Sequence, residues 1–358
     1  MQTSRRSLMK ASGVAAVFGM TSLAGCSGLL GGGGGSGGYQ YDPGTLVETQ
    51  NKFFGTMNFA QMYEAREFLP ESTQQDFEST EDSPVDPQDI ETGTGVGAAD
   101  VSLSGGGGGT VFGSVAILGS FSKSDVEDSI QSEGDAQSAG SYEGFSLYET
   151  SQADSATSVG GLSSDGSAMA GIGEGAMIVG FAGSEGSQSA SVTGQQAVET
   201  MIDANNGNAP SLEANSDVAQ QLTNRFGDAT FMVGGQVDPN LVDQMLSQPG
   251  AMRSVQQRVQ GIRAGGFGMT INGETTTMTG AAIYESEQAA ADTGLAGLVN
   301  GFAPEVTRSP AIDSIEASTE GDTVIVTLEG QTETIFSQGA GMGPGSALNV
   351  DPVGMQPN

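Results

Sequence analysis

One thiol, 43 carboxylates and a cluster of three arginines are the groups in this chain with chemistry to offer. Cys26 is the only cysteine, so no disulfide forms within the chain. A nucleophilic thiol needs a lowered pKa and a base beside it. The neighbours of Cys26, in "LAGCSGLLGGG", are small or apolar, and there is no histidine anywhere in the 358 residues. Lack of histidine excludes Ser-His-Asp and Cys-His mechanisms, and with them His-ligated zinc and blue copper. A solitary cysteine excludes thiolate clusters. No cofactor is implied.

Carboxylate pairs could serve as the acid and nucleophile of a glycosidase. With 43 acids such pairs are everywhere, and no tryptophan is present to stack a sugar. The glycine-rich "SGGGGGT" lacks the Lys-Ser/Thr of a phosphate loop and precedes a strand, so it reads as a hairpin turn. "ESTQQDFESTEDSPVDPQDIETGTGVG" offers oxygens to a hard cation but not in calcium-loop order, and reads as a solvated loop. The arginines are the local anomaly. Arg253, Arg258 and Arg263 fall within eleven residues, in "RSVQQRVQGIR". Guanidinium groups grip carboxylates in a bidentate fork, which suits a partner-docking face. The other reading is pairing within the chain, with the stems lying along apolar surface.

The elements around Cys26 account for it better than catalysis does. "MQTSRRSLMKASGVAAVFGMTSLAGC" has Arg5 and Arg6 adjacent, then an uncharged run too short and too polar to span a bilayer. "SRRSLMK" resembles a twin-arginine export signal, and "LAGC" resembles a lipobox. The resemblance implies cleavage before Cys26 and lipid on its sulfur. Residues 1–25 are then a signal peptide, and 26–44 a lipidated cysteine with a glycine-rich tether. Two lipid chains, which a lipobox implies, hold a protein firmly.

Charge points the same way. Arg5, Arg6 and Lys10 precede Cys26 and no acid does, so the remainder has 8 basic against 43 acidic residues, net −35. Self-repulsion at this charge weakens a compact fold in dilute buffer, and molar salt screens it. Acid-rich, lysine-poor composition behind such a signal resembles a haloarchaeal surface lipoprotein. Nucleic acid is excluded as a partner, since nothing neutralises its phosphates. The expected partners are the membrane, through the lipid on Cys26, and an envelope protein. The expected location is the outer face of the cell membrane.

Beyond the tether, residues 45–70 read as helix ended by Pro70, so 45–100 is expected to be a helical segment and an acidic loop. From 101 the texture is strand-like. "SKSDVEDSIQSEG" carries a capping box at Ser124 and Glu127. "SAMAGIGEGAMIVGFAG" folds at Gly173-Glu174-Gly175. "TGQQAVETMIDANNG" is a helix capped by Thr193 and stopped by Asn206-Gly207. "DATFMVGGQVDPNLVDQMLSQ" repeats the strand-then-helix order, with Asp238 as cap and Pro239 at the first helical position. "SIEASTEGDTVIVTLEG" is a hairpin turning at Glu320-Gly321.

The expected fold class is α+β: two copies of a strand–helix–strand–strand–helix unit, a mostly antiparallel sheet, and helices on one face. The copies are placed at 101–227 and 228–336, the second with the C-terminal hairpin, and 337–358 is expected to be disordered. The pattern resembles uncharacterised haloarchaeal lipoproteins over roughly 45–330, a resemblance that brings no activity. The leading functional reading is a non-enzymatic binding or scaffold module. A solute-binding lipoprotein of an importer and a carboxylate-based hydrolase stand beside it.

Overall fold

Phe53, Phe54 and Met57 have helical spacing, yet they lie on a strand. The computed structural model describes residues 37–71, 74–75, 85–102, 108–133, 136–150, 167–184, 191–227, 229–239, 242 and 260–339. In it β1 is Lys52–Asn58, with Phe54 in a hydrophobic cluster on one face and Met57 in a second cluster on the other. Asn58 then caps α1 (Phe59–Glu64), its Oδ1 accepting from Gln61 N at 2.9 Å. β2 is Ile90–Ser102 and β3 is Gly108–Gly119. The expectation of a helical segment and loop over 45–100 is therefore corrected at two central strands.

Burial on both faces removes the alternation that marks a strand. In β2, glycine hides it further. A Cβ on Gly93 would lie 2.8 Å from the Phe59 ring, and one on Gly97 would lie 2.4 Å from the Phe53 ring. The aromatic rings of β1 and α1 occupy the space where β2 side chains would stand.

α2 (Lys123–Glu133) crosses to the far edge. The hydroxyl at its start is Ser122, which accepts from Asp125 N at 3.4 Å, and not the expected Ser124. β4 (Ala136–Tyr142), β5 (Phe145–Thr150), β6 (Ser167–Gly173) and β7 (Ala176–Ser184) return as a meander to β3. The β6–β7 turn falls at Glu174–Gly175, as the sequence implies, with Gly175 at φ 62°.

α3 (Gly194–Asn205) has the Thr193–Gln196 capping box, and Gly207 follows it at φ 75°. α4 (Leu212–Asn215) and α5 (Asp217–Phe226) come next, the latter capped by Ser216. β8 is Phe231–Gln236, and the chain turns helical at Pro239, where Val242 N donates to Asp238 O at 3.2 Å. β9 (Ile262–Asn272) and β10 (Thr275–Tyr284) form a hairpin. α6 (Glu287–Asp292) and α7 (Leu295–Val306) lead to β11 (Ile312–Glu320) and β12 (Thr323–Gln331), joined through Gly321 at φ 59°. α8 (Thr332–Gly339) ends the described chain.

The described strands form one twelve-stranded sheet in the order β11-β12-β10-β9-β8-β1-β2-β3-β7-β6-β5-β4, every neighbouring pair antiparallel. This is the α+β class expected. The strand–helix–strand–strand–helix order runs outward from the central β1/β8 pair on both sides, but with other bounds than the expected 101–227 for the first copy. On one side it is β1-α1-β2-β3-α2, starting at Lys52, with β7-β6-β5-β4 beyond β3. On the other it is β8, the turn at Pro239, β9, β10 and α6, with β12 and β11 beyond β10.

α3 and α5 lie on one face, α3 over β3, β6 and β7 and α5 over β8, β9 and β10. Val198, Met201 and Ile202 of α3 and Leu222 and Phe226 of α5 join Phe54, Val96, Ile178 and Ile283 in the larger cluster. α1 and α2 lie on the reverse face, with Met57, Ile90, Val126 and Ile172 in the second cluster.

Candidate functional site

Most residues singled out by the sequence lie outside the described region: Arg5, Arg6, Cys26, Arg253 and Arg258. Arg263, at the start of β9, is described and fully engaged. Its Nη1 lies 3.3 Å from Asp217 Oδ2 and its Nη2 2.9 Å from Asp322 Oδ2, while Nε donates to the Tyr284 carbonyl at 3.2 Å. It ties α5, the end of β10 and the β11–β12 turn together. Arg225 reinforces that joint, reaching Glu320 at 3.2 Å. For Arg263 the structure therefore gives internal pairing, and the acids that meet it are 46 and 59 residues away in sequence.

A second locus carries no local mark in the sequence. Residues 39–46, expected to be the end of the tether and the start of a helix, form a strap over the middle of the sheet. Tyr41 bridges to Ser211, Leu212 N donates to Gln40 O at 2.8 Å, and Asp42 N donates to Pro210 O at 2.9 Å. Gln40 and Tyr41 are buried. The Gln40 side chain donates to Gly55 O of β1 at 3.0 Å and to Thr94 Oγ1 of β2 at 3.1 Å. Burial pushes the Tyr41 phenol far above its ordinary pKa, offset in part by the Ser114 hydroxyl, though neither hydroxyl completes a well-formed hydrogen bond.

Asp42 locks the strap in place. Its carboxylate meets Lys52 Nζ at 2.6 Å, accepts from Gly44 N at 2.9 Å, and receives Asn215 Nδ2 at 3.4 Å. Burial by itself would raise its pKa. The Lys52, Gly44 and Asn215 contacts outweigh burial and hold it below the ordinary carboxylate value. A buried tyrosine flanked by a glutamine and a clamped aspartate is a structural fastening. Nothing in it pairs a nucleophile with a base.

No aspartate or glutamate is among the buried described residues. The described residues contain no group of three or more His, Cys, Asp or Glu able to hold a metal ion, and no helix among them is long and apolar enough to cross a membrane. The two sheet edges differ. β4 ends the sheet at one side with Gln137 to Ser141 exposed. At the other side the Asn300 side chain of α7 donates to Ala317 O and accepts from Ala317 N, both at 2.8 Å, engaging the backbone of β11 at that one residue.

No protein-family model matches the chain, and no curated protein matches it in sequence. Among solved structures it is similar to TP0453. Crystal form III gives a TM-score of 0.43 at 10% identity, covering 87% of this chain and 99% of that one. Crystal form IV gives 0.41 at 12% identity, covering 86% and 100%. A likeness of this degree assigns neither a family nor an activity.

Proposed function

We propose that the chain is a lipid-anchored, non-enzymatic binding or scaffold module on the outer face of a cell membrane adapted to high salt. It is exported on the twin arginines Arg5-Arg6 and cut before Cys26. One observation carries the reading: the only thiol in the chain follows "LAG" and is separated from Gly37, where the described structure begins, by ten mostly glycine residues. A lipid attachment point explains the position, the solitude and the glycine-rich flank together.

The absence of buried carboxylates among the described residues supports a binding role over carboxylate hydrolysis. The importer reading is weakened by the single antiparallel sheet, because solute-binding proteins of that kind use two parallel-sheet lobes around a cleft. Arg253 and Arg258 stay as candidate docking residues toward an envelope protein, without Arg263.

Replacing Cys26 with serine tests the anchor. The expected result is release of the protein from the membrane fraction or accumulation of unprocessed precursor. A variant that fractionates and migrates like the wild type removes the lipid reading. Replacing Arg5-Arg6 with two lysines separately tests the route, with precursor expected to stay inside the cell.

A further inference from the structure

α7 is an anomaly on this surface. From Gly294 to Pro304 it carries no charge in a chain of net charge −32, and Leu295, Leu298, Val299, Phe302 and Val306 make it strongly apolar. A helix of that composition is ordinarily buried. None of its residues is. It lies along β11, joined there through Asn300, and Phe302 is 51% exposed. Val179 is the other large hydrophobic residue exposed among those described, at 37%. The outer side of the helix is open, since nothing lies within 4 Å of where a Cβ on Gly297 or Gly301 would stand.

A second observation concerns charge. Five of the six described basic residues are engaged. Lys52, Lys123, Arg225 and Arg263 are ion-paired, and Arg66 donates to Tyr63 O and lies 4.2 Å over the Tyr63 ring. The sixth is Arg308, exposed, two residues beyond the end of α7, and its guanidinium has no partner among the described residues. An apolar helix with one charge, in its last turn, ending beside an unengaged arginine is complementary to one kind of surface: acyl chains under anionic headgroups. That charge, Glu305, opposes the contact and sets a limit on its strength.

We infer that α7 and Arg308 form the surface by which the body rests on the bilayer that carries its anchor. Phe302 and Leu298 enter the headgroup boundary, and Arg308 grips a lipid phosphate. This deepens the lipid-anchor reading and rests on it for proximity. The ten residues between Cys26 and Gly37 reach at most about 40 Å when extended, so an anchored body is never far from the membrane. At that range a contact too weak to recruit a free protein is enough to orient a tethered one.

The native chain has no tryptophan, so Phe302→Trp yields a protein with a single fluorescent reporter at the proposed contact. The test uses the chain from residue 26 onward carrying Cys26→Ser. This includes the whole described fold and has no lipid, so its outcome is independent of whether Cys26 is the anchor. Vesicles are phosphatidylcholine alone or mixed with phosphatidylglycerol, at the lowest salt that preserves the far-ultraviolet circular dichroism. Val179→Trp serves as the control.

The expected result is a shift of Phe302→Trp emission to shorter wavelength, larger with phosphatidylglycerol, and no shift for Val179→Trp. Arg308→Gln should abolish the preference for the anionic lipid. Phe302→Ser, at a position that supports no core, should lower vesicle binding by about tenfold or more. Unchanged Phe302→Trp emission overturns the proposal, as does an equal shift at Val179→Trp. A shift that follows protein concentration without vesicles also overturns it, assigning the helix to a second copy of the chain.

Discussion

α3 and α7 are both twelve residues long, and α7 is the more apolar, yet α3 buries six residues and α7 none. The difference lies in what each helix meets. Under α3 the sheet is cut down to glycine. A Cβ on Gly171 would come within 2.9 Å of Val198, and one on Gly180 within 2.3 Å of the Gly194 carbonyl. The helix sinks into that trough until Ala197, Val198, Met201 and Ile202 are fully covered. α7 meets an edge strand, which offers a row of backbone groups and no trough. Apolar content alone therefore does not decide burial in this chain; the shape of the opposing surface does. The helix starts agree, since α3 has a reciprocal capping box whereas α7 starts from Gly294 at φ 58° with no side-chain cap.

Salt removal should give the largest effect and can break the contrast. From molar to millimolar KCl, self-repulsion should unfold the body, reversibly, as followed by circular dichroism. Amide exchange should lose protection in α7 well before α3. Simultaneous loss in both helices would mean that α7 shares the stability of the core.

Truncation sharpens the contrast side by side. Met201→Ala in α3 should cost about 2–5 kcal/mol by denaturant unfolding in molar salt, whereas Phe302→Ala in α7 should stay within about 0.5 kcal/mol. A large cost at Phe302 would show that the helix packs more tightly than its exposure implies.

Added methyl groups should act with opposite signs. Gly180→Ala places a carbon against the Gly194 backbone and should destabilise by about 1–3 kcal/mol. Gly297→Ala points into open space on a helix and should stabilise by about 0.5–1 kcal/mol. Thermal melts of the two variants should move in opposite directions.

The smallest effect is in the strap that packs beside α3. The Asp42 pKa is depressed in the fold, so its contribution is fully present above the unfolded carboxylate value and is lost as pH falls through the folded value. Stability followed below about pH 4 should therefore decline less steeply in Asp42→Asn than in the wild type. Identical acid slopes would remove Asp42 from the fastening.

The legible parts of this fold are those with local chemistry. Thr193 with Gln196, the turns at Gly175 and Gly321, and Asp238 before Pro239 each declare themselves within a few residues. β1 does not, because Phe53, Phe54 and Met57 serve both faces of the sheet at once. β2 does not, because its glycines answer to rings contributed by Phe53 and Phe59. β4, "AQSAGSY", has neither β-branched residues nor a helical stripe, and only its place beside β5 makes it a strand. The strap reads as tether and helix because its fastening is set at distance, Gln40 to Gly55 and Thr94, Asp42 to Lys52 and Asn215. Arg263 likewise looks available in sequence and is committed in space.

The fastening of Gln40 has a mechanical meaning. A pull arriving at Gly37 passes along the strap to Gly55 and Thr94, on two strands near the middle of a twelve-stranded ladder. Sheets yield most readily by peeling from an edge, where one row of hydrogen bonds opens at a time. Here the load enters far from either edge, and β1 and β2 are each held by neighbours on both sides. Drag on the body, or tension from anything bound to it, would have to draw Tyr41 out of the core before the first strand could separate.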